Sequence, residues 1–329
     1  LTYFQIRLIL LLSLFAFGAC SESNFPAPKS SFLIPEREVD PETPTQIEIN
    51  QSIDLGTYYS FMDELVAYFD TLLPYPITEH LIVRSNPWLI DTLAATDYYR
   101  RMERGIFTYD PQSVQVLEKG MTLLIPNAAQ VDSLLEMQGL VYLDVNIPEF
   151  KLRIWHYDSL MYSFPIRVGQ NIEKFLSVVD RDVDLRTHVG SGCIVRINRN
   201  PDFVNPTDGE AYEVTRRDDQ KVTLMPRIPW IEPELNGVRY GQLIHPTTNP
   251  KTLGRTYSNG CIGVTEGDMW RIYYHAPIGT SVNVRYDREI TNEEGVKVTL
   301  KDIYPGYEEE IRKQKWKYER NVCVCSDLN

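Results

Sequence analysis

The sequence predicts a mainly β protein whose first folded part is α-rich. Three observations carry this. From about residue 138, short runs alternate apolar and polar residues with period two and break at turn residues. Twenty tyrosines and twelve phenylalanines supply the aromatic side chains that strands favour. Before that point, residues 54–73 place Phe61, Leu65, Tyr68, Phe69 and Leu72 at helical spacing.

The bulk numbers narrow the function classes. A chain of 329 residues has room for two domains, and 43% apolar residues suffice for a buried core. The net charge of −12 argues against a nucleic-acid partner and against a basic protein adsorbed to a membrane surface. No internal repeat at a fixed period is present.

The first twenty residues look like a targeting segment. Arg7 precedes the apolar run LILLLSLFAF at 8–17, which is of signal-peptide length and short for a bilayer span. Gly18 and Ala19 then precede Cys20. This resembles a bacterial lipobox, in which the chain is cut before a cysteine that is then lipidated, although Phe17 stands where Leu is usual. The plainer reading is an ordinary signal peptide. The resemblance implies a lipoprotein signal peptide over 1–20, a lipid anchor at Cys20 and a membrane-held protein facing the periplasm. Residues 21–50 carry Pro26, Pro28, Pro35, Pro41 and Pro44 among polar residues, and read as a disordered tether.

A helical part is expected over 51–137. Pro74 and Pro76 end its first helix. Asn86 can cap a second helix with Pro87 in its first turn, and Gly105 can stop it. The run MTLLIPN then reads as a strand. A helix pair closed by such a strand resembles a LysM module, which implies peptidoglycan binding; a generic helical cap is the alternative. The β part spans 138–290. Its strands include CIVRINR, YEVTRR, KVTLMPR, GQLIHPT and SVNVRY, and Asp158–Ser159 mark a hairpin turn. One short helix interrupts it, where Thr265 and Asp268 form a capping pattern before MWRIYYH, and Pro277 stops it. The charged residues 291–329 suggest a surface helix.

The stretch RTYSNGCIGV, residues 255–264, carries the chemistry-bearing candidate. Cys261 is either a nucleophile or a buried thiol in a strand. A thiol needs a base to become a good nucleophile, and a histidine can take its proton and later protonate a leaving amine. His245 lies sixteen positions upstream, a spacing two neighbouring strands can close. The oxyanion of an attacked carbonyl needs donors, which backbone N–H groups at a glycine-containing turn supply. The helix after Thr265 adds a partial positive charge if its N-terminus faces the site.

His245, a gap, then Ser258, Gly260, Cys261 and Ile262 resemble the motif of the YkuD-type L,D-transpeptidases: histidine, then Ser/Thr-His-Gly-Cys, an aliphatic residue and Arg or Asn. The resemblance extends over roughly 140–287, from the hairpin LDVNIPEFKLRIWHYDSLMYSFPIRVG, through LRTHVGSGCIVRI, to GDMWRIYYHAPIGTSVNVRY. It implies a β-sandwich or mixed sheet with a short helix after the cysteine. It also implies that Cys261 accepts the acyl group, that His245 is the general base, and that the Pro246 carbonyl is the relay's third member. Gly260 and Cys261 N–H would form the oxyanion hole, and Ser258 would orient the loop. The implied substrate is a peptidoglycan tetrapeptide stem, with no metal or organic cofactor. Two positions depart from the motif. Asn259 replaces the second histidine, and Gly263 replaces Arg or Asn, which removes a polar contact beside the nucleophile. Arg255 or Arg239 would then bind a stem carboxylate, and Trp230 would line the groove; solvated arginines and a core tryptophan are the alternatives.

The remaining residues are less informative. His156, His188 and His275 read as structural, and Cys193 as a small buried strand residue. Cys323 and Cys325 form a single C-x-C pair, which does not make a zinc site. The resemblance therefore implies an L,D-transpeptidase acting through a thioester. Hydrolysis of the same bond by water (an L,D-carboxypeptidase) and a non-catalytic peptidoglycan-binding module are the alternatives.

Overall fold

In a computed structural model of the protein, residues 40–205, 207–292 and 294–318 are described, and they fall in one compact unit. The candidate leader at 1–20 with Cys20, most of the tether, and Cys323 and Cys325 lie outside the described residues.

Eight strands form the main sheet: β1 (Val141–Asn146), β2 (Lys151–His156), β3 (Ser159–Pro165), β4 (Gly190–Asn198), β5 (Trp230–Leu235), β6 (Ile244–Pro246), β7 (Ile262–Val264) and β8 (Ser281–Arg285). Their order across the sheet is β7-β6-β5-β4-β8-β1-β2-β3. The pairs β6–β7 and β1–β8 are parallel and the other neighbours antiparallel, so the sheet is mixed. The expected hairpin turn is present between β2 and β3, with Tyr157 in the left-handed region at φ 52°.

Among the described residues, seven α-helices accompany the strands: α1 (Leu55–Leu72), α2 (Glu79–Ser85), α3 (Pro87–Ala94), α4 (Tyr98–Glu103), α5 (Ala128–Gly139), α6 (Glu266–His275) and α7 (Tyr307–Tyr318). The first follows the predicted spacing, burying Phe61, Leu65 and Phe69. Pro87 occupies the first turn of α3 as expected, but Asn86 does not cap with its side chain. Its amide instead donates to the Ile82 and Leu124 carbonyls and accepts from Leu124 N–H. The side chain thus substitutes for a strand neighbour, a use that no local pattern reveals.

Three expectations need correction. Within the supposed tether, Thr45–Glu48 is a strand paired antiparallel with Thr122–Ile125, and Ile47 and Ile49 are buried. Two isoleucines in five residues outweigh the nearby prolines. The helix expected after Asn86 is two helices, because Asp97 accepts from Tyr99 and Arg100 N–H and starts α4 afresh. The region 291–329 is more than a surface helix: Tyr304 and Tyr307 are buried beside Tyr286.

The helical part and the sheet share one apolar core, joined through α6. Trp270 and Tyr274 of α6 are fully buried and stack with their ring centroids 6.2 Å apart. Tyr58 of α1 meets Trp270 edge-on, and its hydroxyl lies 2.8 Å from that of Tyr274. Buried Glu79 accepts from the Tyr274 hydroxyl at 2.6 Å and pairs with Arg199 at 2.9 Å, so its charge is hydrogen-bonded and compensated. A side chain on Gly267 would meet the Ala94 carbonyl at 2.8 Å, so glycine lets α3 and α6 approach. The strand that follows Cys261 leads directly into this helix, and the N-terminal helices thereby brace the site from behind.

Candidate active site

The register of three strands builds the site. β6 and β7 run parallel with Ile244 beside Ile262, His245 beside Gly263, and Pro246 beside Val264. Ile231 of β5 lies opposite Ile244. Alternate residues on a strand face opposite sides. Ile231, Ile244, Ile262 and Val264 all point into the core and are fully buried. The other face therefore carries two rows across the sheet. One row is Trp230, His245 and Gly263; the other is Glu232, Leu243 and Cys261. His245 and Cys261 thus share a face on neighbouring strands.

A bulge in β4 extends the second row. Ile194 pairs with Pro233, but Arg196 pairs with Glu232, so Val195 is an extra residue. Without it, Arg196 would fall on the core side. Arg196 Nε instead donates to Glu232 at 2.6 Å, and Arg239 Nη2 donates to the same oxygen at 2.8 Å. The Arg196 guanidinium also sits 4.6 Å from the Trp230 ring centroid.

The His245 ring is held in one tautomer. Its Nδ1 lies 2.8 Å from the Pro246 carbonyl oxygen. A carbonyl only accepts, so Nδ1 carries the hydrogen and Nε2 keeps its lone pair. Burial and the nearby Arg167 charge lower the His245 pKa to about 4, against the pull of the Pro246 bond. The imidazole is therefore neutral across the ordinary pH range. The Cys261 thiol is pushed up by burial; the Leu243 N–H at 3.5 Å and Arg167 oppose that rise, while Glu232 adds to it. The free protein consequently holds a neutral thiol beside a neutral imidazole.

The turn before Cys261 is held from two sides. Ser258 Oγ donates to the Cys261 carbonyl at 2.5 Å, closing the turn. Buried Thr187 donates from Oγ1 to the Gly260 carbonyl at 3.0 Å and accepts from Gly169 N–H at 2.9 Å. A trans peptide points its N–H opposite to its C=O. Thr187 thereby directs the Cys261 N–H away from itself. Gly260 has φ 106°, a conformation that disfavours any side chain. Tyr304 extends the bracing, donating its hydroxyl to the Gly169 carbonyl at 2.6 Å.

The other candidates separate. Trp230 shares a row with His245, while Arg239 is committed to Glu232 and half-exposed. Arg255 is exposed, and its backbone carbonyl accepts from Val168 N–H at 3.2 Å. Asn259 is half-buried in the turn. Cys193 is buried in β4 as expected. The first N–H groups of α6 are taken by other partners: Gly267 N–H donates to Asp97 at 2.9 Å and Asp268 N–H to Thr265 at 3.1 Å. Sequence reasoning missed Thr187, Glu232 and Arg167. The Thr-His-Val-Gly turn signalled Thr187's neighbourhood, whereas the other two depend on cross-strand register.

Comparison with known proteins bears on the sheet-bearing region. Residues 140–284 match the family model of the L,D-transpeptidase catalytic domain, YkuD. This match covers less than half of the chain. A Bacillus licheniformis protein named for that family is 25% identical over 165 residues, which cover 50% of this chain and 74% of the relative. Among solved structures, an L,D-transpeptidase from Mycobacterium smegmatis is 13% identical with a TM-score of 0.30, covering 44% of this chain and 58% of that one. An L,D-transpeptidase from Xylanimonas cellulosilytica is 12% identical with a TM-score of 0.33, covering 72% and 97%. This chain therefore spans less than two thirds of the Mycobacterium smegmatis structure.

Proposed function

We propose that the protein is a cysteine-dependent L,D-transpeptidase acting on peptidoglycan tetrapeptide stems. One observation carries the reading: His245, with Nδ1 tied to the Pro246 carbonyl, presents a basic Nε2 on the same sheet face as Cys261. The Cys261 sulfur attacks the carbonyl before the terminal D-alanine while His245 takes the thiol proton. The tetrahedral oxyanion accepts from the backbone N–H groups of Gly260 and Cys261. Collapse breaks the C–N bond, and His245 returns the proton to the departing D-alanine amine. The stem is left as a thioester. An acceptor amine then attacks, His245 takes its proton, and the released thiolate is reprotonated. Ser258 holds the turn in both steps. Trp230, Asn259 and the arginines 239 and 255 are the substrate-side candidates. Of these, Trp230 is the best placed, on the row of His245.

Incubation of residues 21–329 with tetrapeptide muropeptides tests the reading. Cross-linked dimers that disappear in Cys261→Ala support transpeptidation; tripeptides alone mean that water is the acceptor and the enzyme is a carboxypeptidase. Unchanged muropeptides would sink both. The cell envelope is the compartment this substrate implies, with attachment through a lipidated Cys20. Cells fed an alkyne-tagged fatty acid should label the wild-type protein and not Cys20→Ala; equal labelling would rule that anchor out.

A further inference from the structure

Gly263 stands where the family motif has Arg or Asn, and the structure shows what occupies the space. A Cβ on Gly263 would lie 2.6 Å from Arg167 Nε, 2.8 Å from its Cγ and 3.1 Å from its Cδ. The Arg167 side chain therefore lies flat across the glycine. Its backbone holds it there: Arg167 N–H donates to the Gly263 carbonyl at 2.9 Å, and Gly263 N–H returns a bond to the Arg167 carbonyl at 3.0 Å. Nη1 donates to Thr252 Oγ1 at 3.2 Å, and the guanidinium sits 5.9 Å from the Tyr257 ring centroid. Nε is buried with no hydrogen-bond partner. Among the described residues, no carboxylate forms an ion pair with Arg167. A largely buried guanidinium without a counter-charge is costly.

We propose that Arg167 is the fixed cation of this site, seated in the room that Gly263 leaves and stabilising Cys261 as a thiolate whenever the sulfur gives up its proton. It acts through Cys261 and is a positioning residue, not a catalytic one. The proposal rests on the reading of Cys261 as the nucleophile. The groups facing the sulfur make the role specific. His245 of β6 is neutral and supplies no positive charge. Glu232 of β5 opposes a thiolate, and its carboxylate is shared by Arg196 and Arg239. Tyr257 and Tyr212 flank Arg167 itself. The same cation that favours the thiolate also disfavours imidazolium, so it keeps His245 in its proton-accepting form. A neutral base and an anion-stabilising charge are thus supplied by two different residues on one row.

The test is the pH dependence of iodoacetamide alkylation at Cys261, read by peptide-resolved mass spectrometry so that the other thiols do not interfere. Wild-type full chain, Arg167→Met and Arg167→Lys are compared from about pH 6 to about pH 10.5, and where burial carries a midpoint beyond that range the rates are compared at equal pH below it. Removing a charge seated over Gly263, two residues from the thiol, should raise the thiolate midpoint by about one pH unit, so alkylation below the midpoint slows about tenfold. Arg167→Lys should stay close to wild type. An unchanged midpoint in Arg167→Met overturns the proposal, and so does an equal shift in the Met and Lys variants, which would report packing and not charge. If Arg167→Met does not fold, Arg167→Gln keeps a donor over Gly263 and carries the same comparison. The assay contains no peptidoglycan. Failure to act on muropeptides would therefore sink the proposed substrate while leaving the alkylation result to judge Arg167.

Discussion

Replacing His245 with Gln should slow acylation of Cys261 by about 10²–10⁴-fold, the usual worth of a positioned base. The amide can still donate to the Pro246 carbonyl, but it offers no basic nitrogen to the thiol. Because the folded-state pKa of His245 is lowered to about 4, the base is already deprotonated above that value. The wild-type acylation rate should therefore show no acid limb near the ordinary histidine range, and should fall only as the pH approaches about 4. Single-turnover acylation at a series of pH values reads both effects. A limb centred near 6.5 would mean that His245 is less buried, or more strongly paired, than its surroundings imply. On the alkaline side the rate should hold to above the usual thiol range, because burial raises the Cys261 thiol, and fall once the thiol has lost the proton that His245 passes to the leaving amine.

Trp270→Ala should destabilise the fold by about 3–5 kcal/mol, the range for removing a large buried aromatic side chain. Trp270 is fully buried where α1 meets α6, packed against Tyr58, Tyr59 and Tyr274. The loss should appear as a lower denaturation midpoint at an unchanged slope. Trp270→Phe should cost less than Ala, because the indole Nε1 has no hydrogen-bond partner to lose. A single cooperative transition that moves as a whole is expected, since the helical part and the sheet share a core. Two separable transitions, with only one of them shifted, would mean that α1 to α5 are an independent module. The same packing bears on the LysM-like resemblance. The paired strands Thr45–Glu48 and Thr122–Ile125 are present, yet α2 and α3 also bury apolar surface in the common core.

How much of this was legible in the sequence depended on how local each cause was. Helix α1 announced itself because its buried residues recur every three or four positions. The cap at Thr265 and strands β4, β6 and β8 were equally local signals, whereas β5 and β7 did not read as strands. Helix α5 was missed although Asn127 and Gln130 form a complete capping box after the strand. The apolar run ahead of it drew the reading towards β structure. Helix α2 lies between two proline-containing stretches and is only seven residues long, so periodicity had little to act on. At the site, Cys261, His245 and the Pro246 carbonyl were within reach of motif and spacing. Arg167 was not. The glycine at 263 was visible as a departure, but its filling depends on a bridge between residues almost a hundred positions apart. Glu232 and Arg196 depend likewise on one bulge that shifts register by a residue. Thr187 reads as an ordinary turn residue until its two hydrogen bonds, to Gly169 and Gly260, are seen together.

The most direct measurement is the intact mass of the protein after brief exposure to a tetrapeptide muropeptide. The account predicts an adduct equal to the stem without its terminal D-alanine, located on Cys261, absent in Cys261→Ala and slow to form in His245→Gln. A protein that stays at its unmodified mass under these conditions, or an adduct that persists in Cys261→Ala, would contradict it.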